Sequence, residues 1–160
     1  MDAEMRLNAA GWIVQDEWTR TAVIRVRVIL DAFIVMPNHF HGIILIECRG
    51  TLQRAPTLEQ FGKPTSDSIP TIIRLFKSAT TKRLNALRDT PGIPIWQRNY
   101  HEHIIRDESE FNRIREYVIN NPAGWDKDEE NPTVATGLPL QETGRHIGLP
   151  LSIINPNPIK

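Results

Sequence analysis

The run VRVILDAFIVMPNHFHGIILIE, residues 26–47, decides the fold class. Val26–Met36 is β-branched and alternating, Pro37-Asn38 carries turn chemistry, and His39–Glu47 alternates again. Two such runs around a turn predict a β-hairpin. Upstream, Asn8 is a suitable helix N-cap, and Ala10, Ile13, Val14, Glu17, Trp18 and Thr21 recur at helical spacing, predicting a helix near 9–22. Downstream, residues 49–67 hold Gly, Pro and Thr without periodicity and read as a flexible loop.

Asp67 or Ser68 then caps a second helix, with Pro70 tolerated in its first turn. Ile69, Ile72, Ile73, Phe76, Thr80, Leu84 and Leu87 form its apolar stripe. Pro91-Gly92-Ile93-Pro94 ends it, and Trp96–Arg106 reads as a strand. Asp107-Glu108-Ser109-Glu110 is a capping signature that opens a third helix, with Phe111, Ile114 and Val118 inward and Pro122 as the stop. The predicted order is helix, strand, strand, helix, strand, helix, an α+β arrangement around an antiparallel hairpin. Residues 126–160 are acidic, then Pro- and Gly-rich, with Gly-Leu-Pro-Leu at 137–140 and again at 148–151. They read as a flexible or disordered tail.

With 160 residues the chain has room for one ordinary domain, and 40% apolar and 24% charged residues are globular proportions. Nineteen bases balance nineteen acids, giving no net charge. The distribution is uneven. Thr71–Arg106 holds seven bases against two acids, and Asp107–Glu130 holds eight acids against three bases. The single Cys48 excludes an intrachain disulfide and a cysteine zinc site, and fits a cytoplasmic setting. The opening MDAEMRLNAAGW lacks a signal-peptide pattern, and no apolar run is long enough to span a membrane.

His39 and His41, two apart on a strand, share a face and read either as structural or solvated histidines or as ligands of a divalent ion. His101 and His103 repeat the pattern, and spacing alone does not separate the pairs. Tyr117 lies roughly 60° off the buried stripe of its helix, with Asn121 one turn on the same side. A tyrosine there is either an amphipathic packing residue or a nucleophile. The basic helix residues Arg74, Lys77, Lys82 and Arg83, followed by Arg98 and Tyr100, read either as a solvated helix face or as a single-stranded nucleic-acid groove.

Taken together, DAFIVMPNHFHGIILIE (31–47), IIRLFKSATTKRLN (72–85) and IWQRNYHEHIIRDESEFNRIREYVINNPAGW (95–125) resemble the one-tyrosine HUH transposases, in particular the REP-associated branch. The resemblance covers about residues 5–125. It implies a transposase-like catalytic domain over 1–125, nicking and rejoining single-stranded DNA through a 5′-phosphotyrosine. By that resemblance Tyr117 is the nucleophile, and His39, His41 and Asn121 hold Mg²⁺ or Mn²⁺. Arg74, Lys77, Lys82, Arg83, Arg98 and Tyr100 would contact single-stranded or hairpin DNA of a mobile element, and the setting would be nucleoid-associated. The alternative is a catalytically inactive DNA-binding remnant.

The resemblance also implies a ferredoxin-like antiparallel sheet with helices on its faces. Its first strand would precede Glu4–Leu7 and lie between the histidine strand and the Trp96–Arg106 strand. Met5–Leu7 is too short for that strand. The expectation is therefore a missing first strand, to be supplied by upstream reading frame or by strand exchange in a homodimer.

Overall fold

A computed structural model describes residues 6–47 and 67–125 in full, and the backbone alone of 126–127 and 151–156. The chain is α+β. Helix α1 (Ala9–Val23) leads into strands β1 (Val28–Val35) and β2 (Phe40–Ile46), helix α2 (Ile69–Arg88), strand β3 (His101–Ile105) and helix α3 (Glu108–Asn120). A 3₁₀ helix (Asn121–Lys127) and strand β4 (Leu151–Pro156) complete the order.

Each helix begins where its side chains can satisfy its first free amides. Asn8 Oδ1 accepts from Gly11 N, Ser68 Oγ from Thr71 N, and Asp107 Oδ1 from Glu110 N. Ser68, rather than Asp67, is therefore the cap of α2. Helix α2 ends with Asp89 in the left-handed region, φ 51°. Helix α3 ends at Asn120, two residues before Pro122 as expected, and the backbone continues as a 3₁₀ turn whose first residues need no donated amide from proline.

The sheet order is β1-β2-β4-β3. Strands β1 and β2 are antiparallel, with Val28 opposite Ile46 and Val35 opposite Phe40, and a register shift between Leu30 and Phe33. Strand β4 runs parallel to both neighbours, pairing Phe40 with Leu151 and His101 with Ser152. Antiparallel pairing is thus confined to the hairpin. The position expected to lack its strand is filled by Leu151–Pro156, six residues of the same chain. This corrects the expectation of a flexible or disordered tail for those residues. The rest of that expectation, 128–150 and 157–160, and the 49–66 part of the loop lie outside the described residues.

Alternation sends two sets of side chains to opposite faces. On one face Phe40 and Ile44 meet Val14 and Trp18 of α1 and Ile69, Ile72, Ile73, Phe76 and Leu84 of α2. Trp18 is fully buried at the centre, with Phe40 and Phe76 in edge contact at 4.7 and 5.2 Å. Gly42 makes this approach possible, since a Cβ there would lie 2.5 Å from Trp18 Cζ2. On the other face Ile43, Ile105 and Val118 are buried with Ala32, Ile34, Leu45, Phe111 and Ile114 around them, so α3 packs there by itself.

The predicted Trp96–Arg106 strand is shorter than expected, since β3 begins at His101. Three of the preceding residues, Trp96, Gln97 and Asn99, bond to side chains of α2. Trp96 Nε1 donates to Thr80 Oγ1 at 2.7 Å, and Lys77 Nζ donates to the carbonyls of Gln97 and Asn99 at 2.8 and 2.9 Å.

Candidate functional site

His39 and His41 lie at the entrance of β2 and share the parity of Ile43, so they emerge on the α3 face. Their rings stand 4.7 Å apart, nearly edge to face. His39 is buried, and its two nitrogens meet two carboxamides. Its Nδ1 is 2.7 Å from Asn38 Oδ1, and its Nε2 is 3.3 Å from Asn121 Oδ1. A carboxamide oxygen only accepts, and a neutral imidazole has only one N–H. With the proton on Nδ1, the short contact is a hydrogen bond donated to Asn38 Oδ1 and the Nε2 lone pair lies toward Asn121. In that tautomer Nε2 and the Asn121 carboxamide can serve a cation together, or the carboxamide can turn its own N–H to Nε2.

Tyr117 completes the group. Its ring lies 5.6 Å from that of His41, and the residue is 57% exposed. Trp125, from the 3₁₀ turn, lies 6.1 Å from His39. Three elements therefore converge: β2 supplies the imidazoles, α3 the phenol, and the turn after α3 the carboxamide. The sequence expectation that His39, His41, Tyr117 and Asn121 act together corresponds to one cluster in space.

The cluster is steadied by ties around α3. Arg115 Nε donates to Asp31 Oδ1 at 2.8 Å, bonding α3 to the β1 irregularity, and the ion pair raises the Arg115 pKa. Glu110 Oε2 accepts from Arg106 N at 2.9 Å, and Oε1 bonds His103 Nε2 at 2.9 Å. Those hydrogen bonds, the backbone one first, hold the Glu110 carboxyl below the usual glutamate range. His103 is thus engaged at the start of α3. His101 is exposed; it and His41 each pair in register with Ser152 of β4.

The predicted DNA contacts fall elsewhere. Arg74, Lys77, Lys82 and Arg83 are on α2, whose apolar stripe packs on the sheet face opposite the histidines. Arg83 Nη1 donates to Asp16 and to Glu17 Oε1, which raises its pKa through those hydrogen bonds. Lys77 is partly buried, which lowers its pKa, and its ammonium sits 5.8 Å over the Tyr100 ring. Arg74 donates to Thr71 Oγ1 at 3.2 Å. Lys82 lines an open groove of about 380 Å³ with Trp96 and Gln97, and Arg98 is exposed beside it. These residues form a surface of their own, apart from the tyrosine.

Three neighbours of the cluster were not singled out by sequence. Asn38 Oδ1 contacts His39 Nδ1, and its position in the turn beside His39 is the available signal. Trp125 and Arg113 carry no local motif, although Arg113 precedes Tyr117 by one helical turn. Among the described residues no group of three or more His, Cys, Asp or Glu forms a ligand set, so the candidate set is two imidazoles and one carboxamide. Also among them, no helix is long and apolar enough to cross a membrane.

An "Uncharacterized protein" of Haemophilus influenzae is 40% identical over 136 residues, spanning 81% of this chain and 73% of its own length. The chain belongs to that protein's family. That description states no activity, so membership assigns none to this chain. No family model matches the chain. No solved structure matches it.

Proposed function

We propose that this protein is a divalent-metal-dependent DNA strand-transfer enzyme, resembling the HUH transposases, that cuts and rejoins single-stranded DNA through Tyr117. The observation that carries the reading is the exposed Tyr117 ring packed on His41, beside the His39 Nε2–Asn121 Oδ1 pair. A packing tyrosine would bury its ring in the apolar stripe with Val118. This one turns away from it.

His39, His41 and Asn121 would hold the ion; the paired lone pairs of His39 and Asn121 fit one, and nitrogen donors suit Mn²⁺ better than Mg²⁺. When bound, such an ion supplies Lewis-acid polarisation of a phosphate oxygen. Asn38 keeps the His39 Nδ1 proton in place, so that Nε2 stays a donor of electrons. Tyr117 forms the new bond from its phenolic oxygen to phosphorus. The bond from phosphorus to the 3′-oxygen breaks, that oxygen takes a proton, and the phenolic proton leaves to solvent. One phosphodiester replaces another, so a later 3′-hydroxyl can reverse the step without a nucleotide cofactor.

A denaturing gel tests this. With Mn²⁺ and a labelled single-stranded oligonucleotide, the protein is expected to form a covalent adduct that is lost in Tyr117→Phe and on chelation by EDTA. Adduct formation by Tyr117→Phe removes the tyrosine assignment. Cleavage without any adduct indicates attack by water. Binding without cleavage, indifferent to His39→Ala, indicates a DNA-binding remnant.

A further inference from the structure

We infer that the outer stripe of α3 is a nucleotide subsite, with Arg113 as the anchor for a phosphate next to the one attacked. This rests on the strand-transfer reading for its substrate class, but on separate residues. Arg113, Glu116, Tyr117, Asn120, Asn121 and Gly124 line one open groove of about 410 Å³. That is at the low end for small-molecule sites, which run from ~300 to ~1,000 Å³, and suits a single nucleotide of a longer strand. Positions 113, 117 and 120 follow helical spacing, so Arg113 and Tyr117 lie one turn apart on the same ridge.

The charge pattern gives the groove a direction. Arg113 is 77% exposed on its side chain, and its partner Glu110 is 3.8 Å away. Glu110 already accepts from His103 and Arg106 N, so the Arg113 guanidinium retains donors for a phosphate fork. The other cations near α3 and α2 are differently placed: Arg115 is bonded to Asp31, Arg83 to Asp16 and Glu17, and Lys77 to two backbone carbonyls. Glu116 repels a phosphate from its own end of the groove. Glu116 and Asn120 instead offer acceptor and amide groups to a base edge. Gly124 forms the far wall, and a Cβ there would meet nothing within 4 Å, so the groove reaches the backbone at that point.

The test is fluorescence anisotropy of the full-length protein with a 5′-fluorescein-labelled 20-nucleotide single strand, in EDTA, across a salt series. Arg113→Gln is expected to weaken binding about tenfold and to flatten the slope of log K against log salt by about 0.7, the share of one phosphate. Arg113→Lys should retain the slope. Gly124→Leu, at a position where a Cβ meets nothing within 4 Å, should weaken binding by a similar factor, with the melting temperature measured alongside to verify folding. Unaltered affinity and slope in both Arg113→Gln and Gly124→Leu overturns the subsite, as does a wild-type protein that does not bind the strand. The adduct gel is independent: loss of the Tyr117 adduct with these binding effects intact removes strand transfer and leaves the subsite, whereas an adduct indifferent to both substitutions does the reverse.

Discussion

Gly42 links the core to the histidines, because the residue before it is His41 and the ring above it is Trp18. Adding a Cβ would bring it to 2.5 Å from Trp18 Cζ2 and 2.9 Å from Phe40 Cε1. Neither ring has free space, since both residues are fully buried. Gly42→Ala is therefore expected to lower stability by about 1–3 kcal/mol, the range for overpacking a filled core. Trp18→Phe replaces the two fused rings by one, removing Cζ2 and also the buried Nε1 that has no hydrogen-bond partner. Combining the two should give a protein more stable than the sum of the single effects predicts, measured as non-additivity in urea unfolding. Additive losses would show that the clash is not what makes glycine necessary.

The elements around the site respond to pH through Glu110. Its carboxyl is held low by the Arg106 amide and then by His103, so the folded protein favours its charged form more than the unfolded chain does. That contribution is complete above the ordinary glutamate range and disappears as pH falls through the lowered folded value. Helix α3 is expected to lose stability on acidification, and Glu110→Gln to make the acid-side fall in melting temperature shallower than in wild type. An identical fall in both would exclude Glu110. The start of α3 was legible in the sequence because a cap is local: Asp107 and Glu110 meet across one turn, as do Asn8 with Gly11 and Ser68 with Thr71. The ragged start of β3 was not, because the bonds from Lys77 to Gln97 and Asn99 join residues about twenty apart, and no alternation pattern registers them.

At the scale of the molecule, the two faces of the sheet divide the chain's chemistry. Basic α2 lies on one side, the tyrosine helix on the other, and a count of charges along the sequence cannot tell the sides apart. The convergence of His39, His41, Tyr117 and Asn121 was expected because two distinct motif blocks carry them. Strand β4 was hidden by its setting: Leu-Ser-Ile-Ile-Asn-Pro is a short apolar run between prolines, inside a stretch whose average composition reads as unstructured. Yet β4 pairs on both sides, so a proline within it removes a ladder bond from the middle of the sheet. Ile153→Pro is expected to cost about 1–3 kcal/mol through the orphaned group, and to speed amide exchange at Ile43 and His103. Unchanged exchange there would remove β4 from the sheet.

The position of β4 also sets a timetable. All the other described elements precede it, so during synthesis α1 through α3 emerge while the row between β2 and β3 is unfilled. Phe40 must then find Leu151 across most of the chain, a long-range closure of the kind that makes folding slow. Until it does, the strand bearing His39 and His41 exposes unpaired backbone to any passing β-strand. The strand beside the candidate site is therefore paired on both of its edges only after Leu151–Pro156 has been made.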